Sequence, residues 1–282
     1  MSAPDQQEDH YMHGADAAEQ DRLEQLAVLL GGAEFLPPLN EGMNIIEFGC
    51  GTGAIARDVA TRIAPGEVVG LDRQEAQLET ARRIASDKGL KNVRFKQANA
   101  ENAGEPDSVF DAAYCRFVLE HVADPVRVAQ EMARVVKPGG WVCAYEWDNS
   151  CGTLFPESPA VKLVWEAIYR LQDMRGGDSR ITGKLYGIFK RAGLANVRAE
   201  GFAWTITADE RNKLEGYVGG AREIMSQTRD DLLAEKLVQP ADLSAAEAQY
   251  QLLLESPDAY VFEGFCRATG EPANDSDSRR TD

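Results

Sequence analysis

The sequence predicts an α/β fold: a doubly wound, mostly parallel sheet with helices on both faces and a helical cap. Three observations carry that expectation. Short apolar runs alternate with amphipathic stretches between residues 43 and 148, and strand–helix repeats joined by short turns close as parallel units covered on both sides. The first run, Ile45-Ile46-Glu47-Phe48, passes directly into alternating glycines and then a helical pattern. The chain is 282 residues long, at the upper edge of what one hydrophobic core organises, so insertions or a modest second lobe are expected.

Each element has its own local reason. Residues 1–14 read as frayed. Residues 15–30 form a helix whose Leu23, Leu26, Leu29 and Leu30 share a face and which Gly31-Gly32 stops. Pro37-Pro38 and Asn40 break the chain before the core. Strands are expected at 43–48, 68–72, 93–98, 110–115 and 141–147. Between them lie a helix through Ile55, Val59 and Ile63, a second through Leu78, Ala81 and Ile84, and a third that Asp124-Pro125 opens as N-cap and first-turn proline. The third helix ends before a turn at Lys137-Pro138-Gly139-Gly140. After residue 148 the pattern loosens into a helix with Val161, Val164, Ile168 and Leu171 on one side, a helix at 181–192, and a strand at 197–206. A helical insertion at 208–255 follows, with a capping box at Ser244 and Glu247, and a last strand spans 260–268. The expected organisation is a cap segment at 1–40, a ligand-binding core at 41–148, insertions and closing strands at 149–269, and a disordered tail at 270–282.

Composition excludes several classes of function. Thirty basic against 46 acidic residues leave a formal net charge of −16, a surface that repels phosphate backbones and anionic lipid. No nucleic-acid or membrane partner is therefore expected. No run approaches the roughly 20 apolar residues of a membrane span, and the polar, acidic first nine residues do not resemble a signal peptide. The five cysteines (Cys50, Cys115, Cys143, Cys151 and Cys266) are scattered without a C-x-x-C pair, which reads as reduced thiols in a cytoplasmic protein. No metal site is expected, since His10, His13 and His121 lack neighbours at ligand spacing. A thiophile held by Cys143 and Cys151 is the minor alternative to a core thiol plus a loop thiol.

The most informative segment is Glu47-Phe48-Gly49-Cys50-Gly51-Thr52-Gly53-Ala54. Glycines allow a sharp turn and close ligand approach, and the new helix offers free N–H groups. Gly49, Gly51 and Ala54 even satisfy the dinucleotide pattern, so a nicotinamide-dependent dehydrogenase and a non-catalytic nucleotide-binding protein both stay open. Glu47 argues differently: an anion there repels a pyrophosphate and suits an ammonium group. Asp72, closing the second strand, can accept ribose hydroxyls, and Asn99-Ala100 after the third can read an adenine edge.

Together with Phe110-Asp111, Leu119-Glu120-His121 and Lys137-Pro138-Gly139-Gly140, these residues resemble a class I S-adenosylmethionine-dependent methyltransferase. Within that superfamily the chain is similar to the type 11, ubiquinone/menaquinone C-methyltransferase-like group. The resemblance implies a Rossmann-like seven-stranded sheet of order 3-2-1-4-5-7-6, parallel with one antiparallel strand, and S-adenosylmethionine as cofactor. It implies that Gly49, Gly51 and Gly53 carry the cofactor loop, that Glu47 orients the amino group, and that Asp72 holds the ribose. Asn99 and Ala100 then contact adenine, and Arg116 lies beside the methionine moiety. Two departures stand out: Ala98-Asn99-Ala100 replaces the group's Gly-Asp-Ala, and residues 102–109 replace its Leu-Pro-Phe stretch. The extended N-terminal signature of quinone-pathway enzymes is absent.

Methyl transfer from a sulfonium is an in-line displacement that needs orientation and exclusion of water, with a base only for a protonated nucleophile of high pKa. His13 and Glu146 are the candidate catalytic residues, and Tyr11 is a candidate cofactor contact. Trp147, Asp148 and Trp204 are expected at the acceptor, with Trp165, Tyr169 and Phe202 as further aromatic wall or ordinary core. The Tyr186-x-x-x-Lys190 match to short-chain dehydrogenases is read as coincidence. The expected partner is a small-molecule acceptor, and the expected assembly is a monomer or homodimer.

Overall fold

Ile45-Ile46 and Val68-Val69 are β-branched pairs without a polar face, as suits strands covered on both sides. The computed structural model, which describes residues 16–273, places both at the sheet centre. β1 (Ile45–Phe48) is buried at every position and pairs in parallel with β2 (Val68–Asp72) and β4 (Phe110–Arg116). β3 (Val93–Gln97) flanks β2, and β5 (Val136–Trp147) flanks β4. β8 (Tyr260–Glu271) runs antiparallel to β5 on one side and to β7 (Ala195–Thr207) on the other. This is the expected order with one antiparallel strand.

An eighth strand is added to the seven expected. β6 (Thr153–Phe155) pairs with Tyr260–Phe262, the part of β8 that extends beyond its pairing with β5 and would otherwise expose an unpaired edge. β5 also begins earlier than expected. Val136 already pairs with Phe110, and the glycine turn at 137–140 is a bulge within the strand, with Gly139 at φ +82°. β8 runs on to Glu271, past the expected end of the folded region. Residues 1–15, which include Tyr11 and His13, and residues 274–282 lie outside the described residues.

α2 (Ala54–Ile63) and α3 (Glu75–Asp87) cover one face of the sheet, burying Ile55, Val59, Ile63, Leu78 and Ala81 against Ile45, Val68 and Tyr114. α4 (Pro125–Val135) and α6 (Leu185–Arg191) cover the other with Val128, Met132, Ile188 and Phe189. Asp124 caps α4 as expected, accepting from the Arg127 N–H at 3.0 Å. The helix expected at 181–192 divides into a 3₁₀ turn, Ile181–Lys184, followed by α6, a common tightening at helix starts.

A third core lies between α5 (Pro159–Met174), α7 (Arg211–Ala234) and α8 (Pro240–Glu255), closed by Ile206 and Val261 from the sheet. α5 buries Val161, Val164, Ile168 and Leu171, as its periodicity predicts. The expected Ser244–Glu247 box lies inside α8 instead of at its start. The helix starts five residues earlier, with Gln239 as N-cap and Pro240 in the first turn, and Asp242 accepts from the Gln239 N–H at 2.8 Å. α1 (Ala17–Leu29) packs along α7 and touches α2. No helix among the described residues is long and apolar enough to cross a membrane.

The Trp165 indole N–H donates to the buried Tyr250 phenol at 2.7 Å, joining α5 to α8. Replacing Tyr250 with Phe keeps the ring and strands that donor. The expected loss of unfolding free energy is about 1–3 kcal/mol, read as a shifted urea midpoint at unchanged slope.

Candidate active site

The turn after β1 forces three residues into left-handed backbone: Gly49 at φ +69°, Gly51 at +52° and Gly53 at +73°. A Cβ at Gly49 would stand 2.4 Å from Val118 Cγ2, and one at Gly53 would stand 2.5 Å from the Phe95 ring. Only glycine fits. The turn is then tied to the next strand. Asp72 Oδ2 accepts from the Gly51 N–H at 2.8 Å, and Oδ1 accepts from the Gln74 N–H at 2.9 Å. Burial raises the Asp72 pKa, and these two bonds partly offset it.

Beneath the turn, three polar atoms are buried without a partner: Glu47 Oε2, Tyr114 Oη and Arg116 Nε. Glu47 and Tyr114 are opposite each other in the β1–β4 register, so strand pairing alone sets acid beside phenol. Burial pushes the Glu47 carboxyl up to about 8, against the lowering influence of Tyr114 and Arg116. Burial likewise brings Arg116 down to about 10. Its guanidinium lies over the rings of Phe35 (5.3 Å) and Phe117 (4.9 Å). Phe117 takes φ +56°, a strained conformation for an aromatic residue.

Glu47 and Arg116 both line one continuous cavity of about 1040 Å³. Drug-sized ligands fill about 300–1,000 Å³, so it has room for more than one small molecule. One half is formed by the glycine turn, Asp72, Asn99 and Ala100. The other is walled by Phe117, Trp147, Trp165, Tyr169, Tyr217 and Glu263. Leu23 and Leu26 of α1 close over the first half. Glu24 holds α1 there: it receives Arg57 Nη2 on both carboxylate oxygens (2.8 and 2.6 Å) and the Thr52 hydroxyl at 2.6 Å.

Several expected site residues take other positions. Gly53 does not line the cavity, because its backbone packs against Phe95 and Ala81. Asn99 does line the cavity, and its amide oxygen also accepts from the Glu101 N–H at 2.9 Å. Glu146 is fully buried and off the cavity wall. Its Oε1 accepts from the N–H groups of Val118 (3.1 Å) and Leu119 (2.8 Å), so it braces the loop after β4 and does not reach a ligand as a catalytic acid or base. Asp148, expected at the acceptor, turns instead to Ser150 and Thr182, its Oδ1 accepting from both hydroxyls at 2.6 and 3.3 Å. Trp204 packs into the cores beside Tyr217 and stays off the wall, while Phe202 lies half out of the protein under Arg267 (4.9 Å). Trp147 does line the cavity, as do Trp165 and Tyr169. Tyr186 is exposed on α6, in keeping with a coincidental motif. Cys143 is buried in the core and Cys151 is half-buried in a loop; the described residues hold no cluster of three or more metal-ligating side chains.

The residues missed from sequence are Glu263, Tyr217 and Phe117. A carboxylate inside the apolar run Tyr260-Val261-Phe262-Glu263-Gly264-Phe265 was the available signal for the first.

Residues 39–193 match the family model described as a methyltransferase domain. The chain belongs to this family. It is 38% identical over 114 residues to the ubiquinone biosynthesis O-methyltransferase of Paracidovorax citrulli, covering 40% of this chain and 47% of that protein. It is 37% identical over 135 residues to the ubiquinone/menaquinone biosynthesis C-methyltransferase of Coxiella burnetii, covering 46% and 50%. The chain thus spans about half the length of the curated relatives it matches. Among solved structures it is similar to Haemonchus contortus phosphoethanolamine N-methyltransferase 2 in complex with S-adenosyl-L-methionine, with TM-score 0.55 and 17% identity over 90% of this chain and 52% of that one. That likeness establishes a shared Rossmann-like fold.

The raised Glu47 pKa makes a prediction for the ligand-free protein. The folded state holds this proton up to about pH 8 whereas an exposed glutamate releases it near 4.5, so Glu47 costs stability increasingly as pH rises between those values. Glu47→Gln removes the penalty. The stability difference in favour of the variant should widen from about pH 5 to pH 8 and then level, measured by urea unfolding at each pH.

Proposed function

We propose that this chain binds S-adenosylmethionine and transfers its methyl group to a small organic acceptor of natural-product or quinone-like size, leaving S-adenosylhomocysteine. One observation carries the reading. A buried acid and a half-buried arginine whose Nε is buried, each with an unpartnered polar atom, line the same cavity beside the glycine turn. A free α-amino acid group presents an ammonium and a carboxylate together, and it matches this pair. A dinucleotide pyrophosphate would instead meet the Glu47 carboxylate, which disfavours the dehydrogenase reading.

Glu47 would hold the ammonium and Arg116 the carboxylate of the amino-acid portion. Asp72 uses one bond on each oxygen for backbone N–H groups, and its remaining lone pairs suit ribose hydroxyls. Asn99 and Ala100, at the same edge, fit the adenine. The bound cofactor supplies an electrophilic methyl on a sulfonium. The chain supplies alignment and dryness: α1, clamped through Glu24, covers one half of the cavity, and the aromatic wall shapes the other. A net charge of −16 favours a small acceptor over a nucleic acid.

Isothermal titration with S-adenosylhomocysteine tests the reading. Micromolar binding is expected, weakened at least about tenfold by Asp72→Ala. Because the ammonium selects the ionised carboxylate, affinity should rise with pH towards the Glu47 value of about 8. Absence of binding heat from folded protein overturns the proposal, and binding without methyl transfer to any acceptor in a chemically diverse panel would point to a nucleotide-binding protein without turnover.

A further inference from the structure

Resting on that reading of the cavity, we infer that the acceptor is a small organic cation whose ammonium charge is received by Glu263 within an aromatic cage. Glu263 is 8% exposed and faces the half of the cavity away from the glycine turn. Its carboxylate is held from both sides by neutral donors. Trp147 Nε1 donates to Oε2 at 3.0 Å, and the Tyr217 hydroxyl donates to Oε1 at 2.6 Å. These bonds orient the anion but do not balance its charge. Among the described residues no lysine or arginine forms an ion pair with it, and burial raises its pKa. A buried carboxylate without a counter-ion is costly, and a cationic ligand removes that cost.

The surroundings select for the same chemistry. Trp147, Trp165, Tyr169 and Tyr217 line this half, and aromatic faces attract alkylammonium groups most strongly where water is excluded. Trp165 is fixed by its bond to Tyr250 and Tyr217 by its bond to Glu263, so the wall is preorganised. Gly152 leaves the carboxylate its space: a Cβ there would stand 2.8 Å from Glu263 Oε2. A second buried carboxylate, Glu120, shares the cavity wall, held by the Gln172 amide at 3.1 Å. The basic side chains of the wall are engaged elsewhere or exposed to solvent. Arg22 pairs with Glu19, Arg116 lies over Phe35 and Phe117, Arg180 reaches Glu166, and Arg73 and Lys162 are exposed. A neutral hydroxyl could accept one hydrogen-bonding role here yet leave the charge unbalanced. The acidic surface adds a field that draws cations in.

The test uses choline and its uncharged isostere 3,3-dimethylbutan-1-ol as probes. Both are titrated by calorimetry into the full chain saturated with S-adenosylhomocysteine. Choline should bind roughly tenfold or more tightly than the alcohol, and Glu263→Gln should abolish that preference while S-adenosylhomocysteine affinity changes by less than about twofold. Equal binding of the two probes, binding of neither, or a preference that survives Glu263→Gln overturns the inference alone, since bound S-adenosylhomocysteine leaves the proposed function standing. Failure of S-adenosylhomocysteine to bind overturns both. The comparison of probes on the unaltered chain stands even where the variant does not fold.

Discussion

One half-buried carboxylate, Asp72, is the constraint on which the site depends. Its two oxygens take the N–H groups of Gly51 and Gln74, so a single side chain fixes the turns leaving β1 and β2 relative to each other. Those turns form the floor of the cavity. The three left-handed glycines let the chain approach Val118 and Phe95 so closely that no side chain fits between. Without the tie to Asp72, the glycine turn would lose the bond that joins its middle residue to the end of β2.

Charge is arranged unevenly around this floor. At one end Glu47 and Arg116 share the cavity, each desolvated and each with an unpartnered atom; with Glu47 holding its proton up to about pH 8, the pair is under-bonded and the guanidinium charge is left unbalanced until a ligand arrives. At the other end each Glu263 oxygen accepts one neutral donor, from Trp147 and Tyr217, and the charge has no counter-ion. The two halves therefore ask for different ligands: one for a zwitterion, the other for a cation. Stability is given up at both ends, which is the usual condition of a preorganised binding site.

The parts of the site legible from sequence are those defined by short-range geometry. Glu47, Gly49, Gly51 and Asp72 are recognisable because a strand end, a turn and a helix start follow one another within a few residues. Glu146 and Asp148 were misread for the opposite reason. Both sit at the carboxyl end of β5, where ligands bind in open α/β sheets, but the loop after β4 and the turn through Ser150 engage them first. Glu263 was missed because its meaning depends on β8 running antiparallel beside β5, with Phe265 opposite Trp147. The Trp147–Glu263 bond joins residues 116 positions apart, and no local pattern encodes it.

Hydrophobic periodicity, turn residues and caps determined the order of strands and helices and the shape of the glycine loop, since each acts over a few neighbouring residues. The structure also added β6 and turned the expected break at 137–140 into a bulge, both products of pairing with distant strands. Which carboxylates face the cavity and which serve as braces was decided only by tertiary packing. Desolvation and partner choice depend on everything that surrounds a side chain, and Glu146 and Glu263 take their partners from segments 27 to 116 positions away.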